Sequence, residues 1–171
     1  MLRRGWLVYT WAGLEQGRVG RAVVDYFGVS AEKDCLNMRD ILLKAFPSVE
    51  SKELSDDYIR AHPDPMWDVP PIPLIRAVPL YMLWCVEHRA DEGQLVFDHT
   101  IGALTKYARA KDPGVEWQNF RFSCSQQQVE TVRAFLLWCR NSLMLDYEPA
   151  LSRAIKNWER VAPVVSLVVT K

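Results

Sequence analysis

The sequence predicts a mainly α-helical protein, and three kinds of observation support this fold class. Apolar residues recur at three- and four-residue steps in several segments, as they do on one face of a helix. Serine and aspartate stand where these segments begin, and glycine or proline stands where they end. The 171 residues are enough to bury a core without disulfides or metals, so we expect one helical-bundle domain over 1–171.

The clearest helix is predicted within residues 123–145. Ser123 with Gln126, or Ser125 with Gln128, has the spacing of a capping box, in which the two side chains satisfy each other's backbone N–H groups. An apolar stripe follows at helical spacing: Val129, Val132, Leu136, Cys139 and Leu143. Because that stripe must be covered, the segment predicts a bundle in which other helices pack against this one.

The remaining predicted helices bring the total to six or seven. Residues 74–89 are apolar on nearly all sides, which predicts a central buried helix that Pro79 either begins or kinks. A helix that Pro47 ends is expected to turn five residues inward: Leu36, Ile41, Leu42, Ala45 and Phe46. The other predicted helices cover residues 14–27, 58–62, 95–110 and 150–161.

Three segments are predicted to be extended. The terminal segments 1–13 and 163–171 each contain a short run of aromatic or β-branched residues, so we expect a small two-stranded β pairing of the termini. Five prolines within residues 62–73 force an extended or turning path. Trp67 stands in the middle of this path and is expected to lie in a groove between helices.

The charge balance and the cysteine spacing exclude several classes of protein. The 21 basic and 21 acidic residues cancel, which argues against a nucleic-acid partner. No apolar run reaches the length of a membrane span, so no membrane partner is expected. The four cysteines form no Cys-x-x-Cys pair, which argues against structural zinc, and their surroundings indicate reduced thiols in the cytoplasm. We expect no cofactor.

Negative charge is concentrated in residues 34–98, which contain twelve acidic and six basic residues. Within residues 48–69 the acids stand beside aromatic rings. This pattern predicts a surface that binds a basic protein, because acidic charge accelerates encounter and aromatic rings supply binding energy. The predicted partner-binding residues are Glu50, Glu53, Asp56, Asp57, Tyr58, Asp64, Trp67 and Asp68. The alternative is that these acids only decorate helix ends and that Trp67 is buried.

Two groups of residues offer alternative chemistry. A metal-dependent enzyme would use Glu87, His88, Asp91 and His99, because imidazole and carboxylate groups together suit a divalent metal. Cys124 precedes a predicted helix N-terminus, where the pKa of a thiol can fall. The sequence contains no nucleophile elbow, cysteine-protease signature or phosphate-binding loop, so the leading interpretation has no catalytic residues.

Four segments together resemble a family of small helical bacterial proteins of unknown function. That family shows an Ile-x-x-x-Phe helix, a Pro-x7-Pro helix with aromatic residues, and a terminal helix with glutamine followed by Phe-Leu. The corresponding parts of this chain are 40–47, Trp67, 71–81 and 122–136, so the resemblance covers about residues 35–141. It implies a compact helical protein and supplies no catalytic residues.

Small stand-alone proteins of this kind are similar to the immunity proteins that bacteria keep beside their toxins. The leading hypothesis is therefore a non-catalytic, cytoplasmic immunity protein that neutralises a cognate toxin by covering it with the acidic, aromatic surface. A metal-dependent enzyme that uses the group around 87–99 is the first alternative. An effector or toxin is the second.

Overall fold

The computed structural model describes residues 33–66, 71–89, 95–111, 120–142 and 149–161. Within these ranges the protein is a mainly α-helical bundle, as the sequence predicts, with six α-helices and no strand. We number them α1 (33–45), α2 (Asp56–Ala61), α3 (Leu74–Glu87), α4 (Leu95–Arg109), α5 (Gln126–Ser142) and α6 (Pro149–Trp158). Two short 3-10 turns, Pro47–Ser51 and Phe120–Ser123, precede α2 and α5.

The chain divides into two units after Lys33, and the helical bundle belongs to the second unit, Asp34–Lys171. The helix predicted at 14–27 and the pairing of terminal segments 1–13 and 163–171 lie outside the described residues. Those predictions, and the prediction of one domain over 1–171, therefore stay predictions.

Helix α3 is the central helix that its sequence predicts. All ten residues of 77–86 are buried, because the surrounding helices cover every side of this part of α3. Pro79 lies inside the helix rather than at its first position, where it withholds one backbone N–H from the i to i−4 ladder. Within the described residues no helix is both long and apolar enough to cross a membrane.

Helix α5 begins at a capping box, and the structure decides between the two predicted boxes. The backbone N–H of Ser125 donates to Gln128 Oε1 at 2.9 Å, and the N–H of Gln128 lies 3.4 Å from Ser125 Oγ. Gln128 Nε2 also donates to the carbonyl of Ala45 at the end of α1, at 3.2 Å. The predicted stripe Val129, Val132, Leu136 and Cys139 is buried, so this prediction is confirmed for its described members.

Helix α6 packs on α4 through a fully buried indole. Trp158 Nε1 donates to the carbonyl of Leu104 at 2.8 Å. Arg133 of α5 then donates from Nε to the carbonyl of Trp158, at 2.7 Å. These two bonds tie the C-terminal end of α6 to both neighbouring helices.

Two details of the N-terminal half differ from the sequence prediction. Leu36 is 56% exposed rather than inward, and Met38 is buried in its place. The reason is the helical period, because Met38 and Leu42 lie one turn apart, whereas six residues separate Leu36 from Leu42 and place it on another side. Helix α2 covers Asp56–Ala61 rather than 58–62, since Ser55 accepts from the N–H of Tyr58 and caps the helix there.

Candidate partner-binding surface

The connector between α1 and α2 holds the predicted acidic surface in a fixed shape. Val49 and Leu54 are buried and anchor it to the bundle. Lys52 takes the left-handed conformation, with a φ of 45°, which ends the 3-10 turn and redirects the chain. Because apolar anchors alternate with polar residues, Glu50 and Asp57 are turned to solvent.

Three of the predicted acids already have a partner within the chain. Glu53 pairs with Arg76 of α3 at 2.9 Å, and Asp56 lies 3.3 Å from His88 Nε2 at the end of α3. Asp64 pairs with His99 Nδ1 at 3.1 Å. By contrast, the side chains of Glu50 and Asp57 form no ion pair or hydrogen bond with another residue in the part of the chain that the structure describes. Of the described acids of this set, these two therefore remain available to an outside partner.

Tyr58 is half-buried because the ring of His62 stacks on it. The ring centroids are 4.3 Å apart, and His62 Nδ1 donates to the carbonyl of Tyr58 at 3.0 Å. This local stack fixes the tyrosine ring at the rim of the surface. Trp67 and Asp68, the other predicted members, lie outside the described residues.

Asp64 joins the segment after α2 to α4 through its carboxylate. Its Oδ1 accepts from the N–H of Met66 at 2.9 Å, while Oδ2 accepts from His99 of α4. Burial raises the pKa of Tyr107 well above its ordinary value, and the nearby carboxylate of Asp64 raises it further. Among the described residues the buried Tyr107 hydroxyl has no hydrogen-bond partner.

The described members of the predicted metal group are engaged elsewhere. Glu87 pairs with Arg39 and Lys52, each at 3.3 Å. His88 stacks on Trp84 with centroids 4.3 Å apart and donates from Nδ1 to the Trp84 carbonyl. His99 faces Asp64, and Asp91 lies outside the described residues. Among the residues that the structure describes, no three His, Cys, Asp or Glu side chains come together as metal ligands.

The thiol of Cys124 differs from the sequence expectation. Burial raises its pKa to about 12, because a thiolate would lose its hydration there, and Sγ donates to the carbonyl of Phe120 at 3.4 Å. Burial likewise raises the pKa of Cys85 to about 12, and it raises the pKa of Cys139. Proximity to a helix N-terminus is thus outweighed by desolvation, and Cys124 is not an activated nucleophile.

A row of α3 side chains that sequence analysis did not identify contacts residues 56–62, next to the candidate partner-binding surface. Tyr81 donates from its hydroxyl to the carbonyl of His62 at 2.7 Å, and the Arg60 guanidinium lies 5.6 Å from the centroid of the Trp84 ring. The spacing of Tyr81, Trp84 and His88 on one side of α3 is the signal that could have shown this row.

No protein-family model, curated protein or solved structure matches this chain. The resemblance to a family of small helical bacterial proteins therefore stays a prediction.

Proposed function

We propose that this chain is a non-catalytic protein-binding protein, and specifically a cytoplasmic immunity protein of bacterial type that occludes a cognate toxin. The observation that carries the proposal is the pair of exposed carboxylates without an internal partner among the described residues: Glu50 on a connector that Val49 and Leu54 anchor, and Asp57 in the first turn of α2. A surface already held in its bound shape loses little conformational entropy when it binds.

The two carboxylates and the tyrosine ring would act at different stages of binding. Unpaired charges at exposed positions accelerate encounter with a basic partner and make it sensitive to salt. Tyr58 is half-exposed beside Asp57, where its ring can be covered by the partner once the two proteins are docked. Glu53, Asp56 and Asp64 hold the connector and α2 in place through their internal partners, so their part in binding is indirect.

The test begins with a pull-down against the product of the neighbouring gene, followed by stopped-flow measurement of the association rate. We expect the double variant Glu50→Lys and Asp57→Lys to lower the association rate about ten-fold at low salt and less at high salt, because only the steering charge is reversed. Asp40→Lys is the matched control. Asp40 is exposed on α1 and is not one of the predicted partner-binding residues, so its reversal should leave the rate within about two-fold.

Two results would contradict the proposal at different levels. If the double variant associates as fast as the unaltered protein, the acidic surface is not where the partner docks. If the neighbouring product does not bind at all, the immunity role itself fails. Among the described residues no contact favours the metal-dependent enzyme or the effector.

A further inference from the structure

Residues 56–66, which we call the strap, lie along one side of α3. Three contacts join them to that helix, and they occur in reverse order along it: Asp56 with His88, Arg60 with Trp84, and His62 with Tyr81. The α3 members are spaced by three and four residues, so they share one face of the helix. The strap therefore runs antiparallel to the C-terminal half of α3.

The strap is also held at its far end, by a different helix. His99 of α4 donates from Nδ1 to Asp64, and the same carboxylate accepts from the N–H of Met66. Each end of the strap thus rests on a histidine supplied by the bundle, His88 at the start and His99 at the end.

Apolar anchoring of the strap is slight compared with that of the bundle helices. Ile59 and Pro65 are the buried residues of the strap, and Tyr58 and Met66 are half-buried against the core, whereas ten consecutive residues of α3 are buried. Helix α2 has six residues, which is too short to be stable without tertiary contacts. A segment with few buried apolar contacts opens at a lower free energy than the whole domain.

The connector just before the strap contains a residue with a strained backbone conformation. Lys52, a residue with a Cβ, holds the left-handed conformation at a φ of 45°, which is unfavourable for residues other than glycine. Its Nζ pairs with Glu87, the residue before His88, so the end of α3 holds both the turn and the start of the strap.

We propose that the strap opens as a unit while α3 to α6 stay folded, and that Tyr81, His88 and His99 set how often it opens. The proposal concerns the free protein and does not depend on any partner. Because the strap carries Asp57 and Tyr58, a partner that binds these residues in their present positions also stabilises the closed strap.

Native-state hydrogen–deuterium exchange of the free protein tests this. Peptides covering 56–66 should exchange faster than peptides of α5 and α6, since they open without global unfolding. Tyr81→Phe removes the hydroxyl that holds the His62 carbonyl, and should raise exchange in 56–66 about three- to ten-fold while exchange in α5 and α6 stays unchanged. His99→Ala should act in the same direction at the other end, and His99→Asn, which keeps a donor near the position of Nδ1, should restore part of the protection.

Arg133→Met is the matched control, because Arg133 also donates to a backbone carbonyl but at the far end of α6. It should raise exchange in α6 and leave 56–66 unaffected. The proposal is overturned if Tyr81→Phe and His99→Ala leave the exchange of 56–66 unchanged. It is equally overturned if exchange rises by the same factor in every helix, because the strap would then have no opening of its own. Since His99 lies at the surface, His99→Ala remains informative even if Tyr81→Phe fails to fold.

Discussion

Helix α6 and the strap are short segments of similar length, yet they are attached to the bundle in different ways. Helix α6 inserts its own side chains into the core, and Leu151, Ala154 and Trp158 are fully buried. The strap has fewer buried apolar side chains and is held mainly by bundle side chains that donate to its carbonyl and carboxylate groups, whereas α6 has such a tie, from Arg133, in addition to its buried residues. Burial of apolar side chains removes their surface from water and stabilises the folded state. A hydrogen bond at the surface contributes less, because it replaces a hydrogen bond that the same groups would make with water. We therefore expect α6 to contribute to global stability and the strap to local stability.

The largest loss of global stability is expected from Trp158→Ala in α6. The change removes a fully buried indole together with its hydrogen bond to the carbonyl of Leu104. It should lower the free energy of unfolding by about 3–5 kcal/mol, measured by urea denaturation. Trp158→Phe keeps most of the ring volume and should cost less. A loss below about 1 kcal/mol for the alanine variant would show that α6 does not unfold together with the bundle.

A smaller effect is expected from Arg133→Met, which keeps an apolar stem and removes the guanidinium. Its donors serve the carbonyls of Trp158 and Val161, at 2.7 and 3.4 Å. Hydrogen bonds from a charged donor are stronger than neutral ones, so the free energy of unfolding should fall by about 1–3 kcal/mol. Arg153→Met, on the exposed side of α6, is the control and should stay within about 0.5 kcal/mol. Equal losses for the two variants would mean that the Arg133 contacts contribute nothing specific.

The smallest global effect is expected from Ser55→Ala, which removes the N-cap of α2. The loss of a cap is worth roughly 1 kcal/mol to the helix it serves, which corresponds to about five-fold faster exchange of α2 amides. The urea midpoint should hardly move, because the strap is already open before the bundle unfolds. Ser152→Ala, an exposed position within α6, is the control and should change neither quantity. A clear shift of the urea midpoint for Ser55→Ala would show that the strap unfolds together with the bundle, as α6 is expected to do.

The bundle helices can be predicted because their signals are local. The stripe of α5 is periodic in sequence and its burial follows that period, whereas α3 is apolar on nearly all sides and is buried on all of them over residues 77–86. The sequence narrows the capping box to two choices, and the structure selects Ser125 because α5 begins at Gln126. The prediction for Leu36 is wrong because an apolar residue near a stripe is not necessarily on it.

The candidate surface is only partly predictable, because its pairing depends on which helices become neighbours. Glu50 in the polar connector and Asp57 in the first turn of α2 are exposed, as expected. The partners of the other acids are remote in sequence. His99 is 35 residues from Asp64, and Arg76 is 23 residues from Glu53. Periodicity within one segment carries no information about such pairs, so the sequence could not separate free carboxylates from paired ones.

The hydrogen bond from Gln128 to the carbonyl of Ala45 can form only after α5 has been synthesised, late in the assembly of the chain. These residues are 83 positions apart, and α2, α3 and α4 lie between them. Closing so long a loop is entropically unfavourable until many other contacts have formed, and contacts of large sequence separation form slowly. During synthesis on the ribosome, the end of α1 thus has to wait for the last third of the chain to emerge. Until then α3, the most apolar helix, lacks the 3-10 turn Phe120–Ser123 and the α5 side chain Cys139 that lies near its Cys85, so part of its apolar surface stays exposed to water.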